Sequence, residues 1–395
     1  MKIAIIDAEL IGKKKHRFPN LVSMKISGYY KNQGNDVELI TEYTDDLKSY
    51  DKVFLSKVFT ETQVPKWVLE LPNIEYGGTG FFYDNAPPLD SAIEHCMPDY
   101  HLYDVWVDKQ IEAGAKRKDF TYYLDYSIGF MTRGCIRQCG FCVNKNYRQC
   151  SLHSRLSEFL DNDRPYICLL DDNVFACKDW KTVFDELIAS GKRFQFKQGC
   201  DERLLTDEKC EYLFRKSKWI GDKIFAFDNI KDRALIEEKL RLIRRHTNSC
   251  IKFYVFCGYN HDNAGVYDED FWKKDITDLF ERIRLLLSYR CLPYIMRYKD
   301  CKISPYKGLY ATVASWCNQP AFFKKMSFAE FARARGMNND DYKIYKTDFD
   351  RYLKDGNKKG SAWRYYEEFA MKYPQVAREY FSMKWADFDV GRKSV

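Results

Sequence analysis

No apolar run of about 18 residues occurs anywhere in the 395-residue chain, so neither a membrane span nor a membrane partner is expected. The opening stretch, MKIAIIDAELIGKKKH, holds only a short apolar core before lysines take over, which is not the pattern of a secretory signal. A cytoplasmic location is the expectation. Internal repeats and low-complexity tracts are also missing, which argues against a solenoid or a disordered linker protein. Charge of one sign is not in large excess. The net +7 is what a solvated surface of this size carries, so charge alone does not single out nucleic acid as a partner. Cysteine is not scarce, at 14, but the thiols are spread along a chain without a secretory signal. That favours reduced cysteines and one metal-binding cluster over a disulfide framework.

The pattern of apolar residues reads as α/β. Residues 2–6 (KIAII) form a buried-strand pattern, 21–33 a helical one stopped by Gly34, 36–40 and 52–59 further strands, with a helix or turn at 45–50 between them. Residues 84–125, punctuated by Pro87, Pro88 and Pro98, read as a connector with a domain boundary near Gly114 to Phe120. From Tyr126 onward short apolar runs at 126–132, 166–170, 193–197, 223–227, 251–256 and 292–297 alternate with helical patterns at 180–191, 206–217, 232–247 and 271–289. Thr206 and Asp232 are candidate caps, and Gly191 a candidate stop. Strands alternating with helices predict a partial (βα)6 TIM-type barrel over 121–315, whose site is built at the strand C-termini. A Rossmann-like α/β domain over 1–115 precedes it, and a region over 316–395, helical from about 341 to 385, follows.

Between Phe130 and Arg148, FMTRGCIRQCGFCVNKNYR places Cys135, Cys139 and Cys142 in a C-x3-C-x2-C spacing. Thiolates are soft ligands for zinc or for iron-sulfur clusters. A structural zinc would need a fourth protein ligand, for which Cys150 is the candidate. Three cysteines on an iron-sulfur cluster instead leave one iron open. Cys250, Cys257, Cys291, Cys301 and Cys317 are too irregularly spaced for a second cluster; buried structural cysteine is the expectation for Cys200, Cys257 and Cys317. Polar residues stand at the strand ends: Asp171, Asp172 and Asn173, then Gln198, Asp201 and Arg203, then Asp228, then Tyr259 and His261, then Arg297. Plainer readings compete, with Asp172 or Asn173 as a helix cap, Asp201 and Arg203 as a salt bridge, and His261 as a solvated loop residue.

The cysteine spacing, Phe141 before the third cysteine, and the place of the loop after the first barrel strand together resemble the radical S-adenosylmethionine superfamily over about 121–315. The resemblance implies that Cys135, Cys139 and Cys142 hold a 4Fe-4S cluster whose open iron is chelated by S-adenosylmethionine, and that Phe141 borders the adenine. It implies Asp171 or Asp172 as the contact for the methionyl ammonium, although the family's Gly-Gly-Glu-like motif is replaced here by Asp-Asp-Asn. Arg203 would pair with the methionyl carboxylate, and Gln198, Asp201 and Asp228 would meet the ribose. A 5'-deoxyadenosyl radical would abstract hydrogen from a small-molecule or peptide substrate, with electrons from a reducing partner such as flavodoxin or ferredoxin.

A nucleic-acid substrate ranks behind these, since the aromatic and basic tail around Trp363, Tyr366 and Trp385 reads equally as a core-facing helix. A non-catalytic metal-binding scaffold is the other alternative. Residues 1–105 resemble a cobalamin-binding-like domain but lack D-x-H-x-x-G: Asp7 is followed by Ala8 and Glu9, and His16 reads as a solvated loop residue. A domain without cobalamin is therefore expected.

Overall fold

The run KIAIID is apolar on both faces, as a central parallel strand must be, and it forms β1 (Lys2–Asp7), with every residue after Lys2 buried. β2 (Asp36–Ile40), β3 (Lys52–Ser56) and β4 (Ile74–Gly77) complete a four-stranded sheet in the order β2-β1-β3-β4, parallel throughout. The helix Leu21–Asn32 starts at Asn20, whose side chain accepts from the Ser23 amide. The computed structural model describes residues 1–12, 16, 18–336 and 362–392.

Residues 84–125 are not a connector. Helix Asp104–Glu112 lies within them, and Tyr100, Tyr103, Val107, Phe120 and Tyr123 are buried in the same core as Ile3, Ile5 and Phe54. The prolines punctuate a segment whose aromatic residues are held by burial, so no domain boundary falls near Gly114 to Phe120. The chain instead divides into one unit of Met1–Gln198 with Lys216–Gly221 and another of Gly199–Arg215 with Asp222–Val395.

The six strands expected after Tyr126 are present. In the first unit, β5 (Tyr126–Gly129) is followed by the short β6 (Thr132–Arg133) and β7 (Ser151–Leu152), then by β8 (Tyr166–Leu169) and β9 (Arg193–Phe196). In the second unit lie β10 (Ile224–Ala226), β11 (Ile251–Cys257) and β12 (Cys291–Arg297). The six form two three-stranded parallel sheets, β5-β8-β9 and β10-β11-β12, rather than one continuous six-stranded ladder. Between β8 and β9 the helix Trp180–Ala189 turns out at Gly191, whose φ of +69° is the left-handed stop expected there. Thr206 caps its helix by accepting from the Lys209 amide. Asp232 makes no capping bond, because its carboxylate is engaged by Arg203.

The expected helix over 341–385 lies outside the described residues up to 361. Beyond it, Ala362–Lys372 and Pro374–Tyr380 are helical. Trp363, Phe369, Tyr380 and Phe381 are buried, and the Trp363 and Tyr366 rings stack 4.6 Å apart. These aromatics pack inward instead of forming an exposed stacking platform. No helix among the described residues is long and apolar enough to cross a membrane.

Candidate functional site

The cysteine segment is a hairpin excursion on a two-stranded stem. β6 and β7 pair antiparallel, Thr132 with Leu152 and Arg133 with Ser151, so residues 134–150 are looped out between them. Gly134 opens the loop at φ +92°, and a Cβ there would lie 2.3 Å from the Gln149 carbonyl oxygen, so only glycine fits.

The Asp-Asp-Asn run after β8 holds this hairpin. Asp171 is fully buried; its carboxylate accepts from the Met131 amide at 3.2 Å and from the Thr132 amide and hydroxyl at 2.6 and 2.7 Å. Burial pushes its carboxyl up to about 6, against the hydrogen bonds from Thr132 and Met131 that lower it. Asp172 accepts from the Gly134 amide at 2.9 Å and from Asn144 Nδ2 at 2.6 Å, and its carboxyl is also raised by burial. Asn173 donates through Nδ2 to Cys135 Sγ at 3.3 Å. Both carboxylates are engaged by the hairpin, Asp171 by Met131 and Thr132 and Asp172 by Gly134 and Asn144. Asn173 was read as a strand-end residue or helix cap, and Asn144 is a site residue that sequence reasoning passed over. Only the C-x3-C-x2-C register, which sets Asn144 two residues beyond Cys142, hinted at it.

The three cysteines are half-exposed. Cys135 Sγ also accepts from the Arg137 amide at 3.3 Å, Cys142 Sγ accepts from the Asn144 amide at 3.4 Å, and the Cys142 amide donates to the Cys139 carbonyl at 2.9 Å. Among the described residues no three His, Cys, Asp or Glu side chains are gathered around a single metal-ion position. The donor chemistry fits an iron-sulfur cluster: soft ligands on one short loop, two of them already accepting N–H groups as cluster sulfurs do. Cys150 does not join them. It is buried under the stem beside Thr132 and Cys177, and burial pushes its thiol up to about 12.

The other expected contacts divide differently. Gln198 is exposed at the end of the first unit. In the second unit Asp201 accepts from Arg203 Nε at 2.7 Å, and Arg203 reaches Asp232 at 2.9 Å with its other arm. Arg203 thus bridges two carboxylates, in keeping with the salt-bridge reading of Asp201 and Arg203. Beside it Glu202, which sequence reasoning did not single out, is fully buried. One oxygen accepts from the Ala226 amide at 3.0 Å and the other has no hydrogen-bond partner among the described residues.

Burial raises the Glu202 carboxyl from 4.5 to about 8. A carboxyl raised on folding contributes stability that is complete below its unfolded pKa and is lost as pH rises through the folded value. Stability should therefore fall between about pH 4.5 and 8. Glu202→Gln cannot ionise and is expected to flatten that slope, exceeding the parental chain at alkaline pH by about 1–3 kcal/mol in urea unfolding. An unchanged slope would mean that Glu202 folds as the carboxylate.

Asp228 lines a cleft of about 50 Å³ in the second unit, with Tyr259, His261, Asp275 and Arg282. The buried Arg282 holds the strand ends by donating to the carbonyls of Phe227, Asp228 and Phe256 at 2.8–3.0 Å. Asp275 accepts from the Gly258 amide and the Tyr310 hydroxyl. Burial raises the Asp228 carboxyl to about 6, and burial with the neighbouring Arg282 lowers His261. His261 is an exposed loop residue at the edge of the cleft, as its sequence context suggests. Cys200, Cys257 and Cys317 are buried, as expected of structural cysteines.

No family model and no curated protein matches the chain. Among solved structures it is similar to the radical S-adenosylmethionine methyltransferase TsrM from Kitasatospora setae with cobalamin and a 4Fe-4S cluster bound. Identity is 11%, 75% of this chain and 74% of that chain are covered, and the TM-score is 0.48. It is also similar to the same enzyme with tryptophan substrate and the analogue aza-SAM bound, at 12% identity, 72% and 71% coverage and a TM-score of 0.46.

Proposed function

We propose that this chain is a radical S-adenosylmethionine enzyme, acting on a small-molecule or peptide substrate. It binds one 4Fe-4S cluster through Cys135, Cys139 and Cys142. The observation that carries this reading is the hairpin: a C-x3-C-x2-C loop whose stem is bound by Asp171 and Asp172 and whose first cysteine sulfur accepts from Asn173. When bound, the cluster supplies one electron, taken from a reducing partner such as flavodoxin or ferredoxin, for cleavage of S-adenosylmethionine and hydrogen abstraction by the resulting 5'-deoxyadenosyl radical.

The chain's own residues perform the holding. The amides of Arg137 and Asn144 and the carboxamide of Asn173 donate to the cysteine sulfurs and spread the charge that thiolates would carry. Asp171 and Asp172 fix the backbone at Met131, Thr132 and Gly134, which sets where the loop leaves the sheet. Asp228, in its cleft with His261, offers an acceptor for a sugar hydroxyl.

The proposal does not include cobalamin. His16 is largely buried, not solvated as its sequence context suggests. One ring nitrogen contacts the Tyr123 hydroxyl and the other lies 3.4 Å from Asp7, so the imidazole is engaged by the protein. Metal analysis after anaerobic reconstitution tests both statements. About four irons per chain and no cobalt are expected. About eight irons, a stoichiometric zinc, or cobalt with corrinoid absorption would overturn the corresponding claim.

A further inference from the structure

The cysteine hairpin is gripped from a second side, by the N-terminal layer of the same unit. At its tip the Tyr83 hydroxyl donates to the Phe141 carbonyl at 3.4 Å. The Asp84 carboxylate pairs with Lys145 at 3.0 Å, and its carbonyl accepts from Asn146 Nδ2 at 2.9 Å. All three hairpin residues flank Cys142. At the base, Arg133 on β6 and His153 just beyond β7 both reach Glu94 Oε1, at 3.5 and 2.9 Å. Glu94 is held in turn by the buried Lys25 of helix Leu21–Asn32 at 2.9 Å.

Tyr83 adopts φ +49°, ψ −114°, a conformation that costs a side-chain-bearing residue energy and persists where surrounding contacts impose it. This strained residue is one of the two that reach the loop tip. Asp84 and Glu94 lie far from the cysteines in sequence, and each holds the hairpin at a different level, one beside Cys142 and one at the stem.

We infer that Tyr83, Asp84 and Glu94 are positioning residues: they clasp the cysteine hairpin from the N-terminal layer and set the presentation of Cys142. Asp84 fixes the tip by charge, and Tyr83 fixes it by a hydrogen bond to the backbone one residue before the ligand. Glu94 ties the stem to helix Leu21–Asn32 by contacting Arg133 and His153 at the stem and Lys25 on that helix. The inference deepens the proposed function, whose cluster this hairpin would carry, but the clasp itself is a property of the metal-free chain.

The test therefore uses metal-free protein. Each cysteine's alkylation by iodoacetamide is followed by peptide mass mapping in the parental chain and in the double variant Tyr83→Phe/Asp84→Ala. Cys142 should react about three- to tenfold faster in the variant, the loss expected when an ion pair and a hydrogen bond no longer oppose local opening. Exposed Cys250, in the other unit, should react at its parental rate, and the unfolding midpoint should not move. Restoring either Tyr83 or Asp84 should return part of the protection. An unchanged Cys142 rate, or an equal rise at Cys250, overturns the clasp. A chain that binds no cluster yet shows the selective rise would retain the clasp and lose the proposed function, so the two failures are distinguishable.

Discussion

In the Cys139→Ser chain, iron held after anaerobic reconstitution is expected to fall below about one tenth of the parental amount, while the unfolding midpoint stays in place. The two halves of this expectation have separate causes. Cys139 is half-exposed on the loop, so exchanging sulfur for oxygen removes little buried contact, and such surface changes usually lie within about 0.5 kcal/mol. A serine hydroxyl, however, is a hard and weakly acidic donor. Two remaining thiolates cannot hold a cluster that needs three.

Cys150→Ser is the informative companion. Its thiol is buried beneath the stem beside Thr132 and Cys177, so the exchange should destabilise the fold and leave the iron in place. Iron lost from Cys150→Ser without a loss of stability would instead make Cys150 a ligand and revive the zinc-type set of four.

Asp171→Ala is expected to have the largest effect on stability, a loss of about 3–5 kcal/mol in urea unfolding. The carboxylate accepts from two amides and a hydroxyl in a fully buried setting, and alanine would leave all three donors without an acceptor. The stem β6–β7 would then lose its anchor to the end of β8, and iron retention should fall with it. Asp171→Asn keeps one acceptor oxygen but turns a donor toward the remaining amides, so an intermediate loss is expected. It also serves as the measurable variant should the alanine chain fail to fold. Parental stability in both variants would contradict the anchoring role.

Much of the architecture was legible because burial imposes a pattern on the chain. KIAII and YICL lie in strands of parallel sheets with apolar residues on both faces, and RFQF and IKFYVF in strands that alternate along their length. The cysteine loop stood out in the sequence because its three cysteines are close together. What could not be read is what depends on long-range placement. The stretch 84–125 looked like a connector because its prolines and charges are local signals, whereas the burial of Tyr100, Tyr103 and Tyr123 against β1 and its neighbours is not.

The same holds at the site. Asp171 and Asp172 stand at a strand end, the usual place for ligand contacts, and nothing local says that their acceptors face the hairpin forty residues earlier. Arg203 was legible as half of a salt bridge with Asp201, but not as the link to Asp232. His16, a lone histidine in a basic run, gave no sign of its contact with Tyr123 and Asp7.

The central claim is that the hairpin of Cys135, Cys139 and Cys142 carries a cluster that reduces S-adenosylmethionine. The most direct test is to reduce the iron-loaded parental chain anaerobically with S-adenosylmethionine and measure 5'-deoxyadenosine by chromatography. The account predicts its formation by the parental chain and none by Cys139→Ser. A parental chain fully loaded with iron that forms no 5'-deoxyadenosine would contradict it.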